Sequence, residues 1–237
     1  MGEGGSYTAG TNINITDDKI NLNDNIKLTN AGSIEIGRGT KISEGKLLIG
    51  SSVDNYLNEL KGKASAVIGG EGNVASGDNS VAIGGGGALG SQAGNKAVGK
   101  NSVAIGGSQN IASGDNSVAL GGNGGNQALG KYSVTVGGYS NTASSDFAVA
   151  LGGTHNKATG TQSVTLGGDG NTASNESAAA LGGYGNKASG RYSVALGGSY
   201  NEAAGYSNSV TVGGEENYSF GENAVVVGGA NNRAPGK

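Results

Sequence analysis

The residue types that most often carry chemistry are scarce in this chain of 237 residues. It has no cysteine and a single histidine, His155, in a glycine-rich turn where the side chain is expected to be solvated. Without a second histidine or a cysteine, no ordinary transition-metal site can form. Gly85 to Gly90 matches a phosphate-binding glycine pattern, but no helix is predicted to follow, and among 50 glycines the match is due to chance. The sequence predicts no enzyme, no cofactor and no metal site.

Aromatic residues in turns are the best candidates for binding. Tyr132, Phe147 and Tyr192 share one position in a repeated motif, and Tyr139 and Tyr184 share another, directly after a Gly-Gly pair. Tyrosines on rigid turns are good contact residues for a protein receptor. The alternative is that these rings pack over bare glycine backbone or against a neighbouring chain, and we weigh this alternative more heavily because singly exposed aromatic residues are common.

These aromatic residues lie in a regular array of short repeats. Most repeats span 15 residues, with two steps of 16 residues and one of 22. A fixed short period is the signature of a solenoid. The clearest copies of the motif are Ser80 to Gly85, Ser102 to Gly107, Ser117 to Gly122, Ser133 to Gly138, Ser163 to Gly168, Ser193 to Gly198 and Ser209 to Gly214.

Each repeat predicts two short strands and two glycine-containing turns. Val81 and Ile83 alternate with Ser80 and Ala82, which is typical of a strand, and the Gly-Gly pair ends it. A second element, Asn-x-Ala-x-Gly as in Asn73 to Gly77, alternates two fixed residues with a varied one, which predicts a half-exposed strand. We expect the fixed asparagines to form a structural ladder from coil to coil. About eleven coils stacked about 4.8 Å apart form a rod of about 50 Å.

The expected burial of the two strand faces predicts that the protein is an oligomer. We expect Val81 and Ile83 to be buried in their own coil, where two large aliphatic side chains contribute about 1.5–3 kcal/mol each. Ordering fifteen residues costs more than this, so a single roll is marginal. The small Ser80 and Ala82 face is therefore predicted to pack on another copy of the chain, which makes the protein an obligate oligomer.

The paired motifs resemble a known family. Asn79 to Gly84 and Asn101 to Gly106 read Asn-Ser-Val-Ala-Ile-Gly, and together with Asn-x-Ala-Ser-Gly they resemble the YadA-like heads of trimeric autotransporter adhesins across residues 64–236. The resemblance implies an all-β, left-handed parallel β-roll and a homotrimer. It also implies display on the outer membrane of a Gram-negative bacterium, a role in virulence, and adhesion to a host cell-surface receptor or an extracellular-matrix protein. Handedness and the number three come from the resemblance alone.

Composition excludes several other classes. The net charge is −3 with both signs scattered, so no basic stripe indicates nucleic acid. No apolar run approaches membrane-spanning length. The residues at the start of the chain do not form a signal peptide, so membrane attachment and export are expected to depend on segments outside this chain.

The region before the repeats has a different, less regular period. We expect a disordered tail at residues 1–6, short strands within residues 7–46, and a strand at Leu47 to Ile49. Helical spacing from Val53 to Leu60, ending near Gly62, predicts a short helix that caps the solenoid, with an unstructured connector as the alternative. The strands of residues 7–46 either start the roll as a cap or form a small separate trimeric unit. The segment from residue 7 to 63 is thus an N-terminal β segment with a short helix cap, and residues 64–237 are the repeats.

One insertion interrupts the array of repeats. Residues 86–94 form either a loop on a binding face or an incomplete half-coil.

Two other functions compete with adhesion. A non-binding shaft, such as an autotransporter spacer or a phage fibre, would have the same sequence pattern as an adhesin head. Ice binding requires a flat threonine array, and the lysines and the glutamate on the varied face argue against it.

Overall fold

The computed structural model describes residues 58–86 and 94–235 in full, together with the backbone of the strands at 13–16, 19–22 and 47–49. Contacts divide the chain into two compact units, residues 1–41 and 42–237. In the first unit, β1 (Ile13–Thr16) pairs antiparallel with β2 (Lys19–Leu22). Both strands fall where the sequence predicts short strands, whereas the expected tail at residues 1–6 lies outside the described residues.

The second unit contains two parallel sheets of twelve strands each. The first, here called the aliphatic sheet, contains β3 (Leu47–Ile49), β5 (Ala66–Ile68), β7 (Val81–Ile83), β9 (Val103–Ile105), β11 (Val118–Leu120), β13 (Val134–Val136), β15 (Val149–Leu151), β17 (Val164–Leu166), β19 (Ala179–Leu181), β21 (Val194–Leu196), β23 (Val210–Val212) and β25 (Val225–Val227).

The second sheet is called the asparagine sheet because an asparagine precedes nearly every strand. It contains β4 (Glu59–Leu60), β6 (Val74–Ala75), β8 (Lys96–Ala97), β10 (Ile111–Ala112), β12 (Gln127–Ala128), β14 (Thr142–Ala143), β16 (Lys157–Ala158), β18 (Thr172–Ala173), β20 (Lys187–Ala188), β22 (Glu202–Ala203), β24 (Tyr218–Ser219) and β26 (Arg233–Ala234).

Successive coils are stacked in register. Each coil contributes one strand to each sheet, and equivalent residues of neighbouring coils pair directly, as Val164 does with Ala179 and Thr172 with Lys187. The predicted solenoid of about eleven turns, with two short strands per turn, is therefore confirmed. Eleven strand spacings of about 4.8 Å give each sheet a length of about 50 Å.

The interior of the coils contains small and polar side chains. Ala82, Ala97 and Ala104 belong to a fully buried alanine cluster that draws on both sheets, and Ser80 and Asn73 are equally buried. The larger aliphatic residues of the same strands point outward and are only partly covered: in β7, Ala82 is buried, whereas Val81 and Ile83 are intermediate.

The predicted assignment of strand faces is therefore wrong. Ser80 and Ala82 do not form the outer face that packs on another chain, because they fill the inside of their own coil. Both sheets contribute side chains to one narrow interior, so most inward positions hold alanine, serine or threonine, with Val67 and Val226 as larger exceptions. The outward aliphatic residues, such as Val81 and Ile83, form a partly exposed apolar face.

The buried asparagines join each coil to its neighbours. The Asn156 backbone N–H donates to Oδ1 of Asn141 at 3.0 Å, and the Asn156 Nδ2 donates to the carbonyl oxygens of Gly152 and Gly168 at 3.1 and 3.2 Å. Asn171, Asn186, Asn201 and Asn217 repeat the pattern. The predicted asparagine ladder is confirmed, although most of its bonds run between side chain and backbone.

The sheets extend further toward the N-terminus than residue 64, where the repeats are predicted to begin, since β3 pairs with β5 and β4 with β6. Leu60 belongs to strand β4, so the predicted helix does not reach it. Leu60 instead occupies the position of the core alanines and packs against their cluster. The remainder of the predicted helix, residues 51–57, lies outside the described residues.

The 22-residue step adds no strand to either ladder. Strand β6 pairs directly with β8, and β7 pairs directly with β9. An antiparallel bridge between Gly85 and Gly94 brings the two ends of the insertion together. Residues 87–93 lie outside the described part of the chain.

The two glycines of each Gly-Gly pair are predicted to differ in their tolerance of a side chain. Both Gly167 and Gly168 have positive φ, at 64° and 76°. A Cβ at Gly167 has open space around it, whereas one at Gly168 overlaps the Gly183 carbonyl oxygen and Asn171 Nδ2. We expect Gly167→Ala to cost about 1–2 kcal/mol of stability from backbone strain, and Gly168→Ala to cost about 4 kcal/mol or more because neighbouring coils must separate. Thermal unfolding of the two variants measures the difference, and equal melting temperatures contradict it.

Candidate functional site

The five aromatic candidates lie in turns along two edges of the solenoid. The serine edge contains the turns from the asparagine sheet to the aliphatic sheet, such as Gly160 to Ser163, and the Gly-Gly edge contains the opposite turns, such as Gly152 to Asn156. Tyr132, Phe147 and Tyr192 lie on the serine edge, and Tyr139 and Tyr184 lie on the Gly-Gly edge. Their relative exposures range from 43% to 51%. The structure therefore places them in two separate rows.

On the serine edge, Tyr132 and Phe147 form a stacked pair in adjacent coils. Their ring centroids are 5.0 Å apart and the rings are inclined by only 7°. Both residues have left-handed backbone conformations, with φ values of 58° and 59°. Such a conformation is unusual for a bulky side chain, whereas Asn79, Asn101 and Asn116 occupy the same position at little cost. The pair presents an exposed aromatic surface at an energetically unfavourable backbone position.

Further along the serine edge, Tyr192 is held by charged neighbours. The Arg191 guanidinium lies over its ring at 4.7 Å from the centroid and donates through Nη2 to Oε1 of Glu176 at 2.9 Å. The Tyr192 hydroxyl donates to the same oxygen at 3.5 Å. The hydrogen bond from Arg191, followed by its charge, lowers the pKa of Glu176. These contacts restrict the orientation of the tyrosine ring.

On the Gly-Gly edge, each tyrosine contacts an aromatic ring of the next coil edge to face. Tyr139 and His155 have centroids 5.6 Å apart, and Tyr184 and Tyr200 have centroids 5.1 Å apart. His155 Nδ1 lies 3.5 Å from Asp169 Oδ1. Hydrogen bonding with Tyr184 is the largest cause that raises the pKa of Tyr200, followed by burial.

The rings of this edge also lie against glycine backbone. A Cβ at Gly124 would overlap the Tyr139 ring, and one at Gly185 would lie 2.9 Å from the Tyr200 ring. Tyr139 therefore packs partly over bare backbone, while a large part of its ring remains exposed. Sequence reasoning missed Tyr200, since it occupies the next position along the turn rather than the one shared by Tyr139 and Tyr184.

The two 16-residue steps create surface features that the sequence did not locate. In the first step, two residues, Gly124 and Gly125, take the place of the single residue that precedes the asparagine in other coils. A shallow groove of about 520 Å³ lies there on the asparagine sheet. The second adds Tyr206, which is 95% exposed beside a cavity of about 440 Å³ that Arg191 and Glu222 help to line. The irregular step lengths were the available signal, but step length alone does not identify the inserted residue.

Two negative findings apply to the described residues. In residues 58–86 and 94–235, no group of three or more histidine, cysteine, aspartate or glutamate side chains could hold a metal ion. The part of the chain that the structure describes also contains no helix long and apolar enough to cross a membrane.

Comparison with protein families identifies the repeats. The family model described as the YadA head domain repeat (2 copies) matches residues 70–86, 88–108, 97–123, 138–154 and 173–199. These segments of the solenoid match YadA head domain repeats. Such repeats are typical of the heads of trimeric autotransporter adhesins, a non-enzymatic adhesin family. The match confirms the resemblance in these segments and agrees with the prediction of no enzyme. No curated protein matches the chain.

The ion pair on the serine edge of the YadA head repeats allows a direct test. Replacing Arg191 with glutamine is expected to raise the pKa of Glu176 toward the ordinary value of a glutamate, since the main cause of its depression is removed. A titration of the Glu176 side-chain carboxyl followed by NMR measures this. The contribution of a depressed glutamate pKa to stability is fully present at neutral pH and is lost as the pH falls through that pKa. Because the pair is exposed, this contribution is small, so the melting temperature should change little at neutral pH.

Arg233→Gln is the matched control for this titration. Arg233 lies over Tyr218 at 5.3 Å rather than beside Glu176. An unchanged Glu176 pKa in Arg191→Gln, or an equal shift in Arg233→Gln, contradicts the assigned contact.

Proposed function

We propose that this chain is the head of a homotrimeric adhesin on the surface of a Gram-negative bacterium, and that it binds a host receptor or an extracellular-matrix protein. The observation that carries the proposal is the continuous aliphatic face exposed along a solenoid of YadA head repeats. The trimer, the host partner and the cellular location go beyond the family match and are the substance of the proposal.

The aliphatic face supports association with further copies of the same chain. The first and third residues of each aliphatic-sheet strand from β5 to β25 point outward, and parallel in-register pairing aligns them in two columns. Leu166 and Leu196 are 49% and 43% exposed. Contiguous exposed apolar surface marks an interaction site. Identical chains have the same coil spacing, so their columns can pack coil against coil along the whole length.

The family match supports three as the proposed number of copies. YadA head repeats are typical of trimeric heads. Three aliphatic sheets facing a common axis would bury all three apolar faces, while the asparagine sheets and both edges remain outside. This arrangement leaves the turn aromatics accessible to a partner.

The trimer is tested by placing charge on the aliphatic face. The native chain is expected to have a solution mass of three chains of 22.9 kDa each. Leu166→Asp combined with Leu196→Asp should abolish the trimer, because buried unpaired carboxylates are costly. Light scattering after size-exclusion chromatography measures the mass, and circular dichroism reports whether β structure remains.

Thr142→Asp combined with Thr172→Asp is the matched control, since both threonines point outward from the asparagine sheet. This variant should keep the native mass. A native chain that is folded and has the mass of one subunit contradicts the proposed trimer, as does an equal loss of mass in the control variant.

We assign receptor contact to Tyr132, Tyr139, Phe147, Tyr184 and Tyr192. All five combine a large exposed apolar surface with a rigid turn, and rigid aromatic residues lose little entropy on binding. The three on the serine edge are the better candidates, because the left-handed backbone and the neighbouring contacts fix their rings in advance.

Asparagine is the informative replacement on this edge. The triple variant Tyr132→Asn, Phe147→Asn and Tyr192→Asn should bind host-cell or matrix proteins at least tenfold more weakly while the melting temperature changes by a few degrees at most. The lost stacking, about 0.5–1.5 kcal/mol, is opposed by relief of backbone strain, because asparagine tolerates a left-handed conformation. Pull-down from host-cell and matrix extracts identifies the partner, and binding to that purified partner gives the affinities.

Gln162→Asn and Ser177→Asn change the same turn position in coils without an aromatic residue, and they serve as the control. If the native trimer retains no partner in the pull-down, the non-binding shaft is favoured. A large drop in melting temperature of the triple variant instead assigns the aromatic residues to packing.

A further inference from the structure

We propose that the shallow groove on the asparagine sheet binds a linear, negatively charged polysaccharide. Two columns of residues from five consecutive coils line it, and the floor follows the strands from β8 to β16. The first column is the residue before each asparagine, and the second is the outward residue of each strand. The lining residues are Gly94, Gln109, Gly125, Ser140 and His155 in the first column, Lys96, Ile111, Gln127, Thr142 and Lys157 in the second, and the extra Gly124.

Missing side chains shape the groove. Gly94, Gly124 and Gly125 have no side chain at positions where neighbouring coils carry Gln109 or Ser140. The coils on either side therefore form walls around a depression that runs along the sheet. The depression spans four strand spacings between Lys96 and Lys157, or about 19 Å. An extended chain-like ligand fits this shape better than a compact small molecule.

Two unneutralised cations mark the ends of the groove. Lys96 and Lys157 occupy equivalent positions four coils apart. The ion pairs among the described residues are Lys61–Glu59, His155–Asp169 and Arg191–Glu176, so neither of these lysines has a carboxylate partner there. Among the described residues, no acidic side chain lines the groove, although the chain as a whole carries a net charge of −3. Local charge of opposite sign to the rest of the protein favours a ligand with negative groups spaced along its length.

Polar groups between the two lysines suit sugar hydroxyls. The side-chain amides of Gln109 and Gln127 can both donate and accept hydrogen bonds, as can the hydroxyls of Ser140 and Thr142. Ile111 provides a small apolar surface for the C–H face of a sugar ring. Hydrogen-bonding groups of both kinds, distributed along a groove with cationic ends, match a polysaccharide whose hydroxyls alternate with anionic groups.

An acidic peptide fits this surface less well. Peptides that bind sheets usually pair with an exposed edge strand, through backbone hydrogen bonds. Strands β10, β12 and β14 lie within the sheet and already pair on both sides, so their backbone groups are occupied. The groove also lacks the deep apolar pocket that would anchor a side chain.

The groove remains accessible in the proposed trimer, because it lies on the asparagine sheet and not on the aliphatic face. It is also distinct from the aromatic residues of the serine edge, which lie at the opposite turn of each coil. Tyr139 of the Gly-Gly edge, in contrast, lies against the groove residues Gly124 and His155. The proposal adds a second type of ligand to the proposed receptor binding, and the serine-edge aromatic residues allow the two to be tested separately.

Binding of size-defined heparin oligosaccharides to the full chain, measured by calorimetry at physiological salt, tests the proposal. Lys96→Gln combined with Lys157→Gln should weaken binding about tenfold. Lys187→Gln, which alters the same outward position two coils beyond the groove, should weaken it less than twofold. Thr142→Phe should weaken binding about tenfold by filling the groove without changing charge, whereas Thr172→Phe, one coil beyond Lys157, should have little effect.

Further measurements separate this proposal from its alternatives. The aromatic-to-asparagine triple variant should bind heparin oligosaccharides normally, so failure of the receptor proposal would not affect the result. Neutral dextran should not compete, and polyglutamate should compete only weakly. The groove assignment is overturned if heparin oligosaccharides do not bind. It is also overturned if Lys187→Gln weakens heparin binding as much as the double lysine variant does, or if Thr142→Phe binds heparin as tightly as the native chain. If polyglutamate competes as strongly as heparin does, the polysaccharide is ruled out as the ligand and an acidic protein segment is assigned to the groove instead.

Discussion

The close stacking of identical coils is the constraint on which the rest of this structure depends. Neighbouring coils approach so closely that a Cβ on the second glycine of a Gly-Gly pair would overlap the next coil, as at Gly153 and Gly183. The buried asparagines bridge the same junction, since each accepts a backbone N–H from one neighbour and donates to glycine carbonyls of its own and the following coil. Backbone hydrogen bonds, amide side chains and the absence of side chains at glycine thus fix one spacing along the whole solenoid. Irregularity is confined to the turns and the outward faces.

That constraint also determines how the chain is stabilised. The interior holds mainly alanine, serine, threonine and asparagine, so apolar burial per coil is small, and a larger share of stability falls on hydrogen bonds between coils. The sizeable aliphatic side chains, such as Leu166 and Leu196, are directed away from the interior and are left partly exposed. A chain of this kind has its hydrophobic surface on the outside of a thin rod, and association with copies of itself is the direct way to bury it. The proposed association is therefore explained by the narrow interior.

The sequence predicted the repeat, the strands and the asparagine ladder because each depends on local spacing. It failed on the direction of the strand faces. Alternation shows that Val81 and Ile83 share a face, but it does not show which face lies inside, and the usual preference for large apolar residues in the interior gave the wrong answer. Leu60 was misassigned for a related reason, since helical spacing with Val53 and Leu57 concealed its place in the alanine column. The groove escaped prediction because it arises from residues of five coils, of which the inserted Gly124 is only one.

The serine-edge aromatics share a left-handed backbone with the residues at the same turn position in other coils, such as Gln162 and Ser177. Tyr132 and Phe147 each adopt a left-handed conformation that costs about 1–2 kcal/mol for a residue with a Cβ, and their mutual stacking returns only about 0.5–1.5 kcal/mol. Asparagine, which other coils place there, avoids most of that cost. Stacking within one chain therefore offsets only part of the strain. The serine edge also lies away from the aliphatic face, so these rings stay exposed there. Contact with a separate molecule is the role proposed for them.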